Sequence, residues 1–216
     1  HPPYLTMALG AGSVTPLQMV TGYSVFANGG YRVNPYLITK VTDQMGKVLS
    51  EFKPPELDES MRAIDARNAY VMTSLLQEVT RSGTAARAPV VLKRHDIYGK
   101  TGTTNDSMDA WFAGYHTSVT AVTWIGYDTP RKLGDRETGG GLSLPVWISY
   151  MQHALQNVPV SEPIPPAGLS HENGDWVFIE YSKGAGVSSL GLDSKSGNSE
   201  LPANDEKKKI LDVFKN

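Results

Sequence analysis

Lys100-Thr101-Gly102-Thr103-Thr104 is the run in this chain whose residue types and spacing could do chemistry. Placed on a strand, the lysine supplies a point charge that attracts a carboxylate, and the threonine hydroxyls can hydrogen-bond it. Glycine between them has no Cβ, so the backbone of a ligand can approach closely. A strand edge also offers N–H and C=O groups with which an extended peptide can pair. The run therefore offers both a pairing edge for an extended peptide and groups that attract a carboxylate. Lys-Thr-Gly alone arises by chance in roughly one chain in twenty of this length. Its flanks decide the matter.

Those flanks are strand-like. Ile97–Thr103, Ala110–Tyr115 and Val119–Tyr127 follow in close succession, and the last two predict a hairpin around His116-Thr117. Upstream, Thr15 reads as a helix N-cap, Pro16 as the first helical residue and Gln18 as the partner in a capping box. Val20, Tyr23, Phe26 and Ala27 recur at helical spacing before Asn28-Gly29-Gly30 ends the helix. Leu37, Ile38 and Val41, a Met45-Gly46 turn and Val48–Phe52 predict a hairpin. A second helix starts at the Asp65 cap, carries Tyr70, Val71, Leu75, Leu76 and Val79 on its apolar stripe, and closes at Gly83. A third is expected from about Pro145 to Leu155, facing inward with Val146, Ile148, Met151 and Leu155, with Tyr150 also in the core.

Composition sets bounds on the rest. The chain has 216 residues, 40% of them apolar, enough for one sizeable core. Lys and Arg number 20 against 22 Asp and Glu, so no basic excess invites nucleic acid. With no cysteine, thiolate catalysis and Cys-based zinc sites are excluded. His1, His95, His116, His153 and His171 show no paired ligand spacing, and no metal or cofactor is expected. No apolar run reaches the roughly 18 residues a bilayer span needs. The N-terminus, His1-Pro2-Pro3-Tyr4, has neither an initiator Met nor a signal-peptide pattern, and predicts a chain that starts in the middle of a protein. Three regions are expected: 1–157 as a folded domain part, 158–183 as a Pro-rich extension with one short strand at Trp176–Tyr181, and 184–216 as a polar, disordered tail.

Five ordered blocks carry a resemblance. They are Gly12–Met19 with Phe26–Tyr31, Ser82-Gly83-Thr84-Ala85, the Lys100 run, Asp109–Tyr115, and Thr138-Gly139-Gly140-Gly141 leading into Pro145-Val146-Trp147. Over residues 4–155 the chain resembles the C-terminal half of the transpeptidase domain of class A penicillin-binding proteins. The resemblance implies an α+β, β-lactamase/transpeptidase-like fold: an antiparallel sheet flanked by helices, of which this chain holds the C-terminal part. It implies peptidoglycan cross-linking by serine acyl transfer on D-Ala-D-Ala stem peptides, blocked by β-lactam antibiotics. It places the protein on the periplasmic or extracytoplasmic face of the bacterial inner membrane. The intact protein would also carry a peptidoglycan glycosyltransferase and a membrane anchor upstream.

Residue by residue, the resemblance makes Lys100 and Thr103 catalytic and Thr101, Gly102, Thr103 and Thr104 substrate-binding. Lys100 would organise protons around the nucleophile, the Thr101 and Thr103 hydroxyls would hold the carboxylate, and the Thr103 N–H would serve an oxyanion hole. The pattern is incomplete. The family nucleophile, in Ser-x-x-Lys at a helix start, and its Ser-x-Asn both precede the blocks found here. Ser50-Glu51-Phe52-Lys53 sits at a strand end against Pro54-Pro55, and Ser196-Gly197-Asn198 lies in the polar tail; both read as chance matches. The nucleophile is expected outside this chain, on the N-terminal remainder of the same protein. Trp111, Phe112 and Tyr115 read as packing rather than a ligand platform, Asp109 as a turn group, and Lys207-Lys208-Lys209 as solvated tail. Two other readings stand beside the transpeptidase: a serine β-lactamase, distinguished by fast deacylation, and a non-enzymatic cell-surface binding module, which an intact upstream Ser-x-x-Lys would exclude.

Overall fold

The computed structural model describes residues 6, 7, 10 and 12–184. Helix α1 (Pro16–Ala27) begins as its letters dictate. Thr15 Oγ1 accepts the Gln18 N–H at 3.1 Å, and Gln18 Oε1 accepts the Thr15 N–H at 2.9 Å. This reciprocal box satisfies two of the donors a helix start leaves unpaired. At the other end, Gly30 has φ +108°, and a Cβ there would lie 2.4 Å from the Ile64 carbonyl oxygen. Both its conformation and its space admit only glycine.

Strands β1 (Lys40–Thr42) and β2 (Val48–Glu51) form an exposed antiparallel hairpin. The Asp43 carboxylate closes its turn by accepting the Met45 and Lys47 N–H groups, each at 2.9 Å. Ser50 sits on β2, in a two-stranded sheet separate from the one that bears Lys100. Ser50-Glu51-Phe52-Lys53 starts no helix.

Helix α2 (Ala66–Arg81) is capped by Asp65, which accepts the Arg67 N–H. Its buried line is Ala69, Thr73, Leu76 and Thr80; of the expected stripe Leu76 is buried, Tyr70, Val71 and Val79 are half-buried, and Leu75 is 55% exposed. Threonine can lie on the inner face because each hydroxyl is satisfied there. Thr73 Oγ1 donates to the Ala69 carbonyl or shares a 2.7 Å contact with Tyr115 Oη, and Thr80 Oγ1 reaches the Ile97 carbonyl at 2.7 Å. A short helix α3 (Arg87–Leu92) follows. Lys93 ends it in the left-handed conformation, φ +54°.

The central sheet has strand order β3-β4-β5, all antiparallel: β3 (Tyr98–Thr103), β4 (Ala110–His116) and β5 (Val119–Ile125). β5 stops two residues before the expected Tyr127. The hairpin expected between β4 and β5 forms, but its two-residue turn is Thr117-Ser118, one residue later than the expected His116-Thr117, because His116 still pairs with Val119. A five-residue wide turn, Gly139–Ser143, then leads into α4 (Leu144–Ala154). The inner face of α4 is Leu144, Trp147, Ile148 and Met151. Val146 and Tyr150, both expected inside, are 51% and 56% exposed. Trp147 fills the place given to Val146, with Nε1 donating to the Ala121 carbonyl at 3.0 Å.

Helices cover both faces of this sheet, the α+β arrangement the sequence predicts. On one face Phe112 packs with Ile97, Ala85, Ala88 and the inner residues of α4. On the other, Tyr98 and Tyr115 pack with Leu76 and the α1 residues Tyr23, Phe26 and Ala27. Strand alternation makes this possible, since Phe112 and Tyr115 have opposite parity on β4. Phe112 and Tyr115 are thus core, as expected, and Trp111 pairs with Trp124 across the hairpin, ring centroids 6.0 Å apart.

Beyond α4, residues 158–161 are tied back to the sheet. Arg94 Nη1 donates to the Val158 carbonyl at 2.6 Å, Arg94 Nη2 to that of Pro159 at 3.0 Å, and the Ser161 N–H reaches Asp96 Oδ2 at 2.8 Å. A second hairpin follows, β6 (Leu169–Glu172) with β7 (Asp175–Phe178). Only β7 overlaps the single strand expected at Trp176–Tyr181, and the chain turns 3-10 helical from Ile179 to Gly184. Among the described residues, those to Ile179 form one unit, and Glu180–Gly184 belong to a second. The tail expected from residue 184, with Ser196-Gly197-Asn198 and Lys207-Lys208-Lys209, lies outside the described residues save for Gly184. Among the described residues no helix is long and apolar enough to cross a membrane.

Candidate functional site

β3 is an edge strand among the described residues, hydrogen-bonded to β4 on one side alone. Which of its peptide groups face outward follows from one bond. The Thr104 N–H donates to the Asp109 carbonyl at 3.1 Å, so residues 104 and 109 are a hydrogen-bonded pair continuing the register Thr103↔Ala110. Antiparallel pairing alternates with a period of two. Gly102 and Lys100 therefore bond to β4, while Thr103, Thr101 and Gly99 turn their N–H and C=O groups toward the open edge. Ile97 shares that parity, and its outward carbonyl is the one capped by Thr80 of α2. Helix α2 thus closes the edge at the strand's start and leaves it open along Thr101 and Thr103.

The side chains of the Lys100 run converge on this open stretch. Lys100 is exposed, and its Nζ donates to the outward Thr101 carbonyl at 2.9 Å, with Thr101 Oγ1 3.4 Å away. The Thr101 and Thr103 side chains share the opposite face of the strand, two residues apart. Each meets a group from another element. Thr101 Oγ1 lies 2.8 Å from Thr84 Oγ1, in the loop between α2 and α3. Thr103 Oγ1 accepts the Gly139 N–H at 3.0 Å. The structure thus gathers Lys100, Thr101 and Thr103 with Thr84 and the Gly139 turn.

Gly139 earns its identity from packing. A Cβ there would sit 2.3 Å from the Trp111 carbonyl oxygen and 2.5 Å from that of Gly102, directly over the bonded pair at the end of β3. Its amide can reach Thr103 only because the turn lies flat on the sheet. Gly102 itself is half-buried beneath Trp111, whose Cβ would be 3.1 Å from an added Cβ.

Thr104 is exposed, but its hydroxyl is engaged in the loop. The Asp109 N–H donates to Thr104 Oγ1 at 2.7 Å. Asp109 Oδ1 in turn accepts the Trp124 Nε1–H at 2.8 Å, so Asp109 is a turn group as its setting suggested. Together they fix where β3 ends. Thr84 and Gly139 were not singled out from the sequence as site residues, although both stand in blocks that carry the family resemblance. Their signal was those blocks; their contact with β3 is a product of tertiary folding.

A second polar cluster lies at the opposite end of β4. Arg94 grips the fully buried Asp96 with two bonds, Nε to Oδ1 at 2.9 Å and Nη2 to Oδ2 at 2.7 Å, and His116 Nε2 meets Asp96 Oδ2 at 3.0 Å. Burial alone would raise the Asp96 carboxyl, but Arg94, the Ser161 N–H and His116 outweigh it and hold it below the ordinary carboxylate value. His116 is pushed down, chiefly by burial. The Ser118 N–H donates to its Nδ1, so the proton of the neutral ring sits on Nε2 and is donated to Asp96. This cluster ties the start of β3, the end of β4 and residues 158–161 together.

Comparison with known proteins fits this geometry. Residues 3–147 match the family model of the penicillin-binding protein transpeptidase domain. The chain belongs to that family. It is 44% identical to penicillin-binding protein 1A of Neisseria lactamica over 181 residues, which cover 83% of this chain and 23% of the relative. Against penicillin-binding protein 1A of Pseudomonas aeruginosa it is 38% identical over 214 residues, covering 78% of this chain and 26% of the relative. Among solved structures, penicillin-binding protein 1A of Haemophilus influenzae superposes with a TM-score of 0.71 at 32% identity, covering 81% of this chain and 33% of that one. The chain spans about a quarter of the length of the relatives it matches.

Proposed function

We propose that the protein carrying this chain cross-links peptidoglycan by serine D,D-transpeptidation at the periplasmic or extracytoplasmic face of the bacterial inner membrane, and that β-lactam antibiotics block it. The observation that supports this most is the open stretch of β3. There the outward peptide groups of Thr101 and Thr103 stand beside one ammonium and two hydroxyls, in a chain of the transpeptidase family. An extended stem peptide ending in D-Ala-D-Ala would pair with this edge as a further strand. Its terminal carboxylate would rest on the Thr101 and Thr103 hydroxyls with Lys100 as counter-charge.

The outward Thr103 N–H would then point at the scissile carbonyl as one of two oxyanion donors. The nucleophile is a serine in a Ser-x-x-Lys helix start on the N-terminal remainder of the protein. Its Oγ attacks the penultimate D-Ala carbonyl, the peptide C–N bond breaks, and the terminal D-Ala leaves with the proton. The amine of a neighbouring stem then displaces the serine, forming the cross-link and restoring the hydroxyl. Lys100 keeps the serine and leaving group within one hydrogen-bonded network. Gly102 lets the ligand backbone lie close, and Thr104 sets the end of the strand. The same protein carries a glycosyltransferase and a membrane anchor upstream.

The test is covalent labelling of the intact protein with a fluorescent penicillin. The adduct is expected to persist and to map, by peptide mass, outside residues 1–216. Lys100→Ala should lower the acylation rate constant by about 10²-fold or more, the scale of losing one group that acts on the developing charge. An adduct on Ser50, or an unchanged rate in the variant, would overturn the assignment. Rapid release of hydrolysed penicillin would point to a β-lactamase instead.

A further inference from the structure

Thr101 and Thr103 each carry one hydroxyl proton, and that proton can serve a ligand only if the oxygen does not spend it inside the protein. At Thr103 the direction is settled. Its partner is the Gly139 N–H, a donor only, so Thr103 Oγ1 accepts at 3.0 Å and keeps its own proton. At Thr101 the partner is another hydroxyl, Thr84 Oγ1 at 2.8 Å, and the bond can run either way. The Lys100 ammonium, 3.4 Å from Thr101 Oγ1, can only donate. Thr101 Oγ1 therefore has one fixed donor, Lys100 Nζ, and one reversible partner, Thr84 Oγ1.

An anion arriving in front of Thr101 and Thr103 decides the direction. A carboxylate has no proton to give and bonds best to a donor. Thr101 then turns its proton outward, and Thr84 turns its own onto Thr101 Oγ1. A hydroxyl that accepts one bond while donating another donates more strongly, since hydrogen-bonded chains polarise one another. We propose that Thr84 is a positioning residue that backs Thr101 as a donor to the substrate carboxylate, so that Thr84 and the Gly139 amide prepare a matched pair of hydroxyls. This rests on the transpeptidase reading. It goes beyond it by placing part of carboxylate selection in the loop between α2 and α3. Thr84 is exposed and touches Thr101 from its own loop, and a Cβ on Gly140 would meet the Thr84 carbonyl oxygen at 3.4 Å and Thr101 Cγ2 at 3.8 Å, so loop, strand and glycine turn meet at this spot.

The experiment measures acylation of the intact protein by a penicillin with a free carboxylate and by the methyl ester of the same penicillin. Thr84→Val keeps the shape and removes the donor; Thr84→Ser keeps the donor. For the free carboxylate, Thr84→Val should lower the second-order acylation constant about three- to ten-fold, the range of one neutral hydrogen bond, through weaker binding with the limiting rate unchanged. Thr84→Ser should stay near the unmodified protein, and the ester should respond equally to all three proteins. An equal loss with acid and ester would show mere structural damage and overturn the role, as would no loss with either. If the unmodified protein is not acylated by the free carboxylate at all, the transpeptidase reading falls and this inference falls with it.

Discussion

At the scale of single residues, the site depends on two kinds of identity. Lys100, Thr101 and Thr103 are chemical choices, legible because they fall within four residues of one strand and their types suit a carboxylate ligand. Gly139 is a steric choice, and nothing local reveals it: three glycines in a row read as a loop until the turn is seen lying on Gly102 and Trp111. Gly139→Ala therefore makes a sharp prediction. Its Cβ would meet backbone oxygens at 2.3 and 2.5 Å, and backbone cannot swing aside as a side chain can. The turn must lift, drawing its amide from Thr103. Overpacking of this kind costs about 1–3 kcal/mol, so the intact protein should lose a few degrees in Tm. Its penicillin acylation should fall more than its stability, because Thr103 loses its backing. Gly141→Ala, where a Cβ would find only Thr138 Oγ1 at 3.4 Å, should leave both nearly unchanged in the same thermal-melt and labelling assays.

At the scale of elements, most of the architecture could be read in the sequence where a signal is local. The capping box at Thr15, the Asp65 cap and the alternation of the three strands each rest on neighbours in the chain. The inner face of α2 could not, because Thr73 and Thr80 are buried by partners 42 and 17 residues away, Tyr115 and Ile97. Likewise Asp96 and His116 look like loop and turn residues until the fold joins them with Arg94 and residues 158–161. That cluster sets a pH dependence. His116 is held below its ordinary value of about 6.5, so the folded state stays neutral where the unfolded chain takes up a proton. Stability is full above that value and falls as pH drops through it toward the folded value. Asp96, also depressed, adds stability that is present above the ordinary carboxylate value of about 3.9 and lost as pH falls further toward its folded value. Denaturation of the intact protein should show stability falling as pH drops below about 6.5, a slope that His116→Gln flattens. Asp96→Ala leaves Arg94 buried without its partner and should cost about 3–5 kcal/mol at pH 7. A flat profile, or a Asp96→Ala protein of ordinary stability, would show that the cluster holds nothing.

At the scale of the whole molecule, the structure has a core on both faces of its sheet and still leaves much apolar surface uncovered. On α1 no described residue is fully buried, and Leu17 is 52% exposed beside Val14. Across the β1–β2 region Leu37 is 95% exposed, Ile38 68% and Met45 92%. Single exposed apolar residues are ordinary, but a helix with the capping and patterning of α1 and no buried side chain lacks a neighbour on its outer side. The open edge of β3 adds peptide groups with no partner strand among the described residues, which in a free chain are as ready to meet a second copy as a peptide ligand. The 216-residue chain expressed alone should therefore bind a hydrophobic dye, self-associate in a concentration-dependent way, and melt without a single cooperative transition. The same residues within the intact protein should do none of these. Sedimentation, dye binding and calorimetry on both would decide. A monomeric isolated chain with a cooperative melt would mean that the two cores already suffice, and that the exposed faces of α1 and the hairpin serve some purpose other than packing.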